Sequence, residues 1–302
     1  MIRPDDVMFS GRMLNIILTR TREEVHMADA KVILIMIDAL GYETAWARCG
    51  YLGHLVEQKK GALYRVKGEL PAQSRPMYET MMTGLAVGEH GICANEMVCP
   101  SKCENLFSLA KKNGKTTGAA AYMWIAELYN GIPGYCTLTD RYQLGNTAGL
   151  IENGIFYSQD DYPDSHLYAD GDFLRKAYHP DFLLIHPMNV DDQGHKHGWG
   201  SREYEHAAEV SINIIDCYLD LWRRDGYDVV VTADHGMDEL GNHFGDTRLQ
   251  REVPLFVFSD QIQPGNYGDH TVSQLNVAPL ICRLMGIEPS GRMMDPSEEI
   301  RW

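Results

Sequence analysis

Three stretches of this 302-residue chain set carboxylates, and in two of them imidazoles, directly behind an apolar run. VVVTADHGMDELGNH, residues 229–243, carries Asp234, His235 and His243 beyond its valines. NVDDQGHKHG, residues 189–198, places Asp191 and His195 four apart, with Asp192 and His197 as competing choices inside the same motif. KVILIMID, residues 31–38, ends in Asp38. Carboxylate oxygens and imidazole nitrogens in mixed sets of three are the donors zinc uses at sites that keep a position open for chemistry, and six such donors serve two ions. Singly, Asp38 would do as a helix cap, DDQGH as a solvated loop and His243 as a surface histidine. Their recurrence at successive strand ends is what points to a metal centre.

Such a centre needs a nucleophile or a substrate oxygen to act on. ELPAQSRPMYETMMTGLAVGEHGICAN, residues 69–95, supplies Ser74. Pro76 suits a first helical turn, Met77, Met81 and Met82 continue the helix, and Gly84 stops it. A serine there makes an ordinary N-cap. The same place, beside free N–H groups and the positive end of the helix dipole, also favours an alkoxide or a phosphoryl oxygen. A neighbouring cation would activate the hydroxyl.

The elements that must present these residues are legible as short, bounded apolar runs: 31–38, 181–191, 228–236 and 253–259. Runs of that kind favour buried strands of a parallel sheet. Between them, residues 201–226 repeat Ala208, Val210, Ile212, Ile215, Leu219 and Trp222 near the helical period, with a start at Ser201 and a stop at Gly226. Strand alternating with helix predicts a doubly wound α/β fold, mostly parallel, with helices on both faces. In open sheets of this kind ligands sit outside the carboxyl ends of the strands, where all six candidate ligands fall.

Residues 1–30 precede the first strand and read as an extension with a possible extra helix; residues 31–302 read as one catalytic domain. Within it, residues 122–178 hold eight of the sixteen tyrosines and little periodicity, which suggests an insertion over the sheet near the site. Tyr157, Tyr162 and Tyr168 are its candidate substrate contacts, offering flat faces for a base or a cationic group. The formal charge of −15 argues against a nucleic-acid polymer as partner. No apolar run spans a bilayer and the N-terminus lacks a signal-peptide pattern, so the expectation is a cytoplasmic protein with no membrane partner. Seven scattered cysteines read as reduced thiols; Cys93, Cys99 and Cys103 fit no zinc spacing. The oligomeric state is not written in the sequence.

IDALG, SRPMYETMMTGLAVGEHGICAN, DDQGHKHG, TADHGM and HFGDTRLQREVPLF stand in the order and spacing of the alkaline phosphatase superfamily, and resemble its type I phosphodiesterase / nucleotide pyrophosphatase branch over residues 30–125 and 180–285. The resemblance implies that Asp38, Asp234 and His235 hold one divalent ion, that Asp191, His195 and His243 hold a second, and that Ser74 attacks phosphorus between them. The ions would be zinc, with manganese as the alternative. Asn95, 21 residues beyond Ser74, falls where the branch has an amide that donates to a phosphoryl oxygen. The chain departs from the branch in reading Ser74-Arg75-Pro76 where threonine, an aromatic residue and proline are usual. Arg75 thereby becomes a substrate-binding candidate, expected at the rim because neighbouring helical positions diverge by about 100°. Tyr78 stands where sulfatases carry an arginine. The expected activity is hydrolysis of a phosphodiester or nucleotide pyrophosphate through a phosphoserine. The alternatives are a phosphomonoesterase or phosphonate hydrolase of the same superfamily and, from another class, a non-catalytic metal-binding protein.

Overall fold

The computed structural model describes residues 30–132 and 134–302. The proposed N-terminal extension lies outside them, apart from Ala30. Nine strands form one sheet: β1 (Lys31–Met36), β2 (Ala62–Lys67), β3 (Thr117–Tyr122), β4 (Tyr142–Gln143), β5 (Asn153–Tyr157), β6 (Phe182–Ile185), β7 (Tyr227–Thr232), β8 (Glu252–Phe258) and β9 (Gly265–Ser273). Their order is β4-β5-β3-β6-β1-β7-β8-β2-β9. The central run β5-β3-β6-β1-β7 is parallel throughout. Every residue from Val32 to Met36 is buried, so helices cover both faces at the centre, as an all-apolar strand requires.

The chain direction is set where the sequence was silent. The run 253–259 is a buried strand, but β8 lies antiparallel to both β7 and β2. A strand covered on both faces is uniformly apolar whichever way it runs, so composition reports burial and not polarity. Because β8 is reversed, its first residues and the loop before it return to the edge at which β7 ends. Two reversals also make β2 parallel to β7, so that the segment after β2 emerges there too.

The 201–226 pattern becomes a helix over Arg202–Arg224, capped by Ser201 through a hydrogen bond from the Tyr204 N–H. Ala208, Ile212, Ile215, Leu219 and Trp222 are buried as expected; Val210 is 38% exposed and off the core face. Residues 122–178 are a correction. They are not a cover laid over the sheet: they supply β4, β5 and the helix Asp164–Tyr178, and so build one edge of the sheet and pack on it. Tyrosine suits this role because its ring fills core while its hydroxyl finds an internal acceptor. Tyr168 is fully buried against the Ser211 hydroxyl at 3.0 Å, and Tyr157 donates to the His186 carbonyl at 2.7 Å. Tyr162 is partly exposed, stacks on Tyr157 with centroids 5.0 Å apart, and donates to Asp170. Tyr168→Ala should therefore lower stability by about 3–5 kcal/mol, the usual range for emptying a buried aromatic site, with no change in Michaelis constant. Denaturant unfolding and steady-state kinetics on the same preparation check both halves.

Candidate metal centre and active site

The sheet register explains why the six predicted ligands meet. Met36 of β1 lies opposite Thr232 of β7, so Asp38 and Asp234, each two residues further, leave the sheet side by side. The ladder continues past the strands, with Ile37 N–H donating to Thr232 O and Asp38 N–H to Pro187 O. Ile185 of β6 is level with Ile35, and the helix Asn189–His197 that follows turns Asp191 and His195 toward the same edge. Ala39, at φ 59°, bends the chain sharply behind Asp38; its N–H donates to Asp234 Oδ1 and its carbonyl accepts from the Tyr204 hydroxyl. Non-glycine residues occupy that region only where neighbours enforce it, as those two bonds do. Gly236 is required by proximity: a Cβ there would stand 2.0 Å from the Leu249 carbonyl oxygen.

Two clusters result. Asp38, Asp234 and His235 are all fully buried; His235 Nε2 is 3.5 Å from Asp38 Oδ1 and 3.2 Å from Asp234 Oδ2. In the second, His195 Nε2 is 3.4 Å from Asp191 Oδ1 and 3.3 Å from His243 Nε2, and His243 Nε2 is 4.0 Å from Asp191 Oδ1. The rings of His235 and His243 stack at 3.8 Å and join the clusters. Asp192 turns away to Lys196 at 2.7 Å, which decides between the two adjacent carboxylates in favour of Asp191. His195 likewise, and not His197, faces the cluster.

All three histidines share one arrangement. Nδ1 faces a backbone carbonyl: Gly236 for His235 at 3.0 Å, Gly241 for His195 at 2.9 Å, Ala72 for His243 at 2.7 Å. A carbonyl can only accept, so the proton sits on Nδ1 and the Nε2 lone pair is presented to the cluster, the orientation metal-ligating imidazoles require. Burial holds His235 down at about 3, with the neighbouring His243 adding to it, and burial also lowers His243, so these rings are neutral.

The carboxylates supply the test of fit. Asp38 Oδ1, Asp191 Oδ1 and Asp234 Oδ2 are buried and have no hydrogen-bond partner among the described residues, and each belongs to a cluster. The other oxygen of Asp38 is well provided for, accepting from the Tyr78 hydroxyl and from His186 Nε2 at 3.3 Å. Burial pushes Asp38 up, but the His186 hydrogen bond and the nearby imidazoles outweigh it and hold the group at about 2. Burial, then repulsion from Asp38, drives Asp191 and Asp234 well above the ordinary carboxyl range. Three crowded acids of which only one ionises readily, each with an orphaned oxygen facing imidazole lone pairs, form a set that lacks positive charge. Two divalent ions fit this donor set.

Ser74 opens the helix Ser74–Thr83, which ends at the left-handed Gly84. Its Oγ is 3.2 Å from His235 Nε2, at the junction of the clusters. The helix start differs from expectation in one respect: the Arg75 N–H is taken by Asn95 Oδ1 at 3.0 Å and Pro76 has none, so little backbone donor capacity is left for a ligand. That bond leaves the amide NH2 of Asn95 as the available donor. Arg75 is not at the rim. It is fully buried, paired with Glu127 at 2.6 Å, and stacked over Trp124 with its guanidinium 4.6 Å from the ring centre. Tyr168 and Tyr157, buried as described, are not open to substrate, which leaves Tyr162 of the three proposed contacts.

Sequence reading gave no supporting role to Tyr78, which it noted only as a departure from the sulfatases, and passed over His186 and Glu127. Tyr78 had a signal, since it sits one turn after Ser74 and therefore on the same helix face. His186 also had one, standing at the end of LLIH in the strand that leads to Asp191. Glu127 had none, because its partner lies 52 positions away. The seven cysteines are free. No helix among the described residues is long and apolar enough to cross a membrane.

The sequence model of the family described as type I phosphodiesterase / nucleotide pyrophosphatase matches residues 32–252. The catalytic subunit of GPI ethanolamine phosphate transferase 3 from Mus musculus is 27% identical over 150 residues, covering 46% of this chain and 13% of that protein. Ectonucleotide pyrophosphatase/phosphodiesterase family member 3 from Bos taurus is 26% identical over 187 residues, 56% of this chain and 20% of that protein. The chain thus spans a small part of these relatives. Among solved structures, murine ectonucleotide pyrophosphatase / phosphodiesterase 5 superposes with a TM-score of 0.70 at 13% identity, over 89% of this chain and 98% of that one. An inactive form of that mouse protein in complex with AMP superposes at 0.66, with 13% identity, over 86% and 96%.

Proposed function

The chain belongs to the type I phosphodiesterase / nucleotide pyrophosphatase family, and on that premise we propose that it is a metal-dependent hydrolase of small phosphodiesters or nucleotide pyrophosphates working through a phosphoserine. The observation that carries this reading is that Ser74, a residue only 5% exposed, has its Oγ at hydrogen-bond distance from His235 where the two ligand clusters meet. Asp38, Asp234 and His235 would hold one divalent ion, and Asp191, His195 and His243 the other, zinc being the ion that best suits mixed carboxylate and imidazole donors. Bound ions of this kind would supply Lewis acidity to the displacement.

The chain's own groups do the rest. Ser74 Oγ forms a bond to phosphorus as the bond from phosphorus to the leaving oxygen breaks, and the serine proton passes to the leaving oxygen or to solvent, releasing an alcohol or a nucleoside phosphate. Water then attacks the phosphoserine, the serine–phosphorus ester bond breaks, and Ser74 recovers its hydroxyl proton. Asn95 donates its side-chain NH2 to a non-bridging oxygen, a contact that grows in strength as charge gathers there. Tyr78 and His186 fix Asp38 from behind, the supporting shell such ligands need. The AMP complex of the mouse neighbour favours a nucleotide as substrate.

A diester brings about one negative charge to the site and a monoester about two, so a monoesterase benefits from an extra cation. Arg75 directly follows the nucleophile and is the obvious candidate, and its charge is already offset by Glu127. Bis-p-nitrophenyl phosphate should therefore be turned over with higher kcat/KM than p-nitrophenyl phosphate on the same metal-loaded preparation. A preference for the monoester would assign the protein to the phosphomonoesterases instead. Similarity to GPI ethanolamine phosphate transferases favours one second reading: the same phosphoserine, with an alcohol in place of water as acceptor. Product analysis in mixtures of water and ethanolamine separates the two, since a transferase yields mainly the new ester.

A further inference from the structure

Arg75 and Glu127 are buried charges close to the nucleophile that this mechanism does not use. A guanidinium with no solvent exposure, immediately after the nucleophile, is costly to desolvate, and a buried ion pair is weak evidence of stabilisation because apolar residues of similar volume do as well or better. This pair is not even completed, for Arg75 Nη1 is buried with no hydrogen-bond partner among the described residues. Such an incomplete network calls for a reason other than stability.

The contacts of Arg75 supply one. Its backbone N–H donates to Asn95 Oδ1 at 3.0 Å, its Nε donates to the Asn95 backbone carbonyl at 2.8 Å, and its Nη2 donates to Glu127 Oε2 at 2.6 Å. The Asn95 N–H in turn donates to Gln73 Oε1 at 3.3 Å. Asn95 stands in a loop and not on a helix or strand, yet it is gripped at its main chain and side chain by the residues on either side of Ser74. An N–H can meet only the oxygen of a carboxamide, so the first bond dictates that the amide NH2 is the end left to donate. The second bond fixes where the main chain carrying that amide lies. Glu127, itself held by the Tyr135 N–H at 3.4 Å, and the Trp124 ring clamp the guanidinium that makes it.

We infer that Arg75, held by Glu127 and Trp124, is a positioning residue that sets Asn95 as the donor to the phosphoryl oxygen. The inference rests on the phosphoryl-transfer reading for its kinetic consequence, but its structural content stands apart. Lysine cannot replace Arg75, because one ammonium does not present the forked donors that reach Asn95 O and Glu127 together.

The test is a double-mutant cycle on metal-loaded protein, with bis-p-nitrophenyl phosphate as substrate. One arm is the paired replacement Arg75→Met with Glu127→Leu, which removes both charges at once and leaves no unpaired ion. The other is Asn95→Ala. The paired replacement should lower kcat on the order of 10²-fold, the usual consequence of a misplacement of about 1 Å, with KM within about 2-fold. In the Asn95→Ala background it should lower kcat by no more than about 2-fold, because residues acting through one group are not additive. Arg75→Lys should stay impaired. Equal losses in both backgrounds, or no loss with Asn95 present, would overturn the inference. A second readout is independent of turnover: the Asn95 side-chain amide pair in a ¹H–¹⁵N spectrum, identified by its loss in Asn95→Ala, should shift in the paired variant, and an unmoved pair would also overturn it. If wild-type protein hydrolyses no phosphate ester, the functional reading fails while this spectrum still decides the placement of Asn95.

Discussion

Ser74→Ala is expected to remove turnover while leaving the fold, the metal content and nearly all of the stability in place. Loss of a nucleophile that acts as a unit with its neighbours costs roughly 10⁴- to 10⁶-fold in kcat. The structural cost is small for a specific reason. Ser74 is the first residue of its helix and not its cap: Gln73 holds the cap position and no side-chain cap bond is made. Alanine is the best helix former and removes only the Oγ contact with His235 Nε2. The change in stability should therefore stay below about 1 kcal/mol, the typical value for a cap that is actually lost. Wild-type protein quenched during turnover should carry phosphate on the peptide containing Ser74, and the variant none. Near-normal rates in the variant would make a water molecule the attacking group and exclude the phosphoserine.

The site was legible in the sequence wherever its residues were anchored to a strand end. Asp38, Asp191, Asp234 and His235 could be aimed at one edge because parallel neighbouring strands present their carboxyl ends together, and the register then places Asp38 and Asp234 level. His243 lies in the loop between β7 and the reversed β8, and Ser74 follows β2, a strand that sequence reading did not identify, so the arrival of Ser74 at that edge was not legible from the apolar runs. Arg75 shows where this stops. Its side-chain direction depends on Glu127 and Trp124, in a helix reached only after β3, and no local pattern encodes that pairing. The tyrosines of 122–178 failed for a related reason: β5 contributes only NGIFY to the sheet, too short to show a period, so ring-rich core was taken for a cover.

Asp234→Asn should change stability in opposite directions with and without metal. In metal-free protein the buried carboxyls compete, and burial followed by the charge of Asp38 raises Asp234 well above its ordinary 3.8. A carboxyl with a raised folded value binds its proton more tightly in the native state than in the unfolded chain. Metal-free stability is thus fully retained below pH 3.8 as far as this group is concerned, and falls as pH rises above it. An amide carries no such penalty. It can keep Oδ1 as the acceptor for the Ala39 and His235 N–H groups, and turn its NH2 toward the Nε2 lone pair of His235, now 3.2 Å from Oδ2. At neutral pH the metal-free variant should therefore be more stable than wild type, because the amide removes the cost of a buried carboxyl that the unfolded chain ionises freely. With saturating zinc the order reverses. Elemental analysis should find two ions per wild-type chain, and a roughly 100-fold loss of affinity at one of them forfeits about 2.7 kcal/mol of ligand-linked stability. Thermal unfolding of both proteins, with chelator and with zinc, gives four melting temperatures that must cross. If Asp234→Asn is the less stable protein in both conditions, Asp234 is a structural hydrogen-bond acceptor for Ala39 and His235, and the case that three orphaned carboxylate oxygens await cations loses its strongest member.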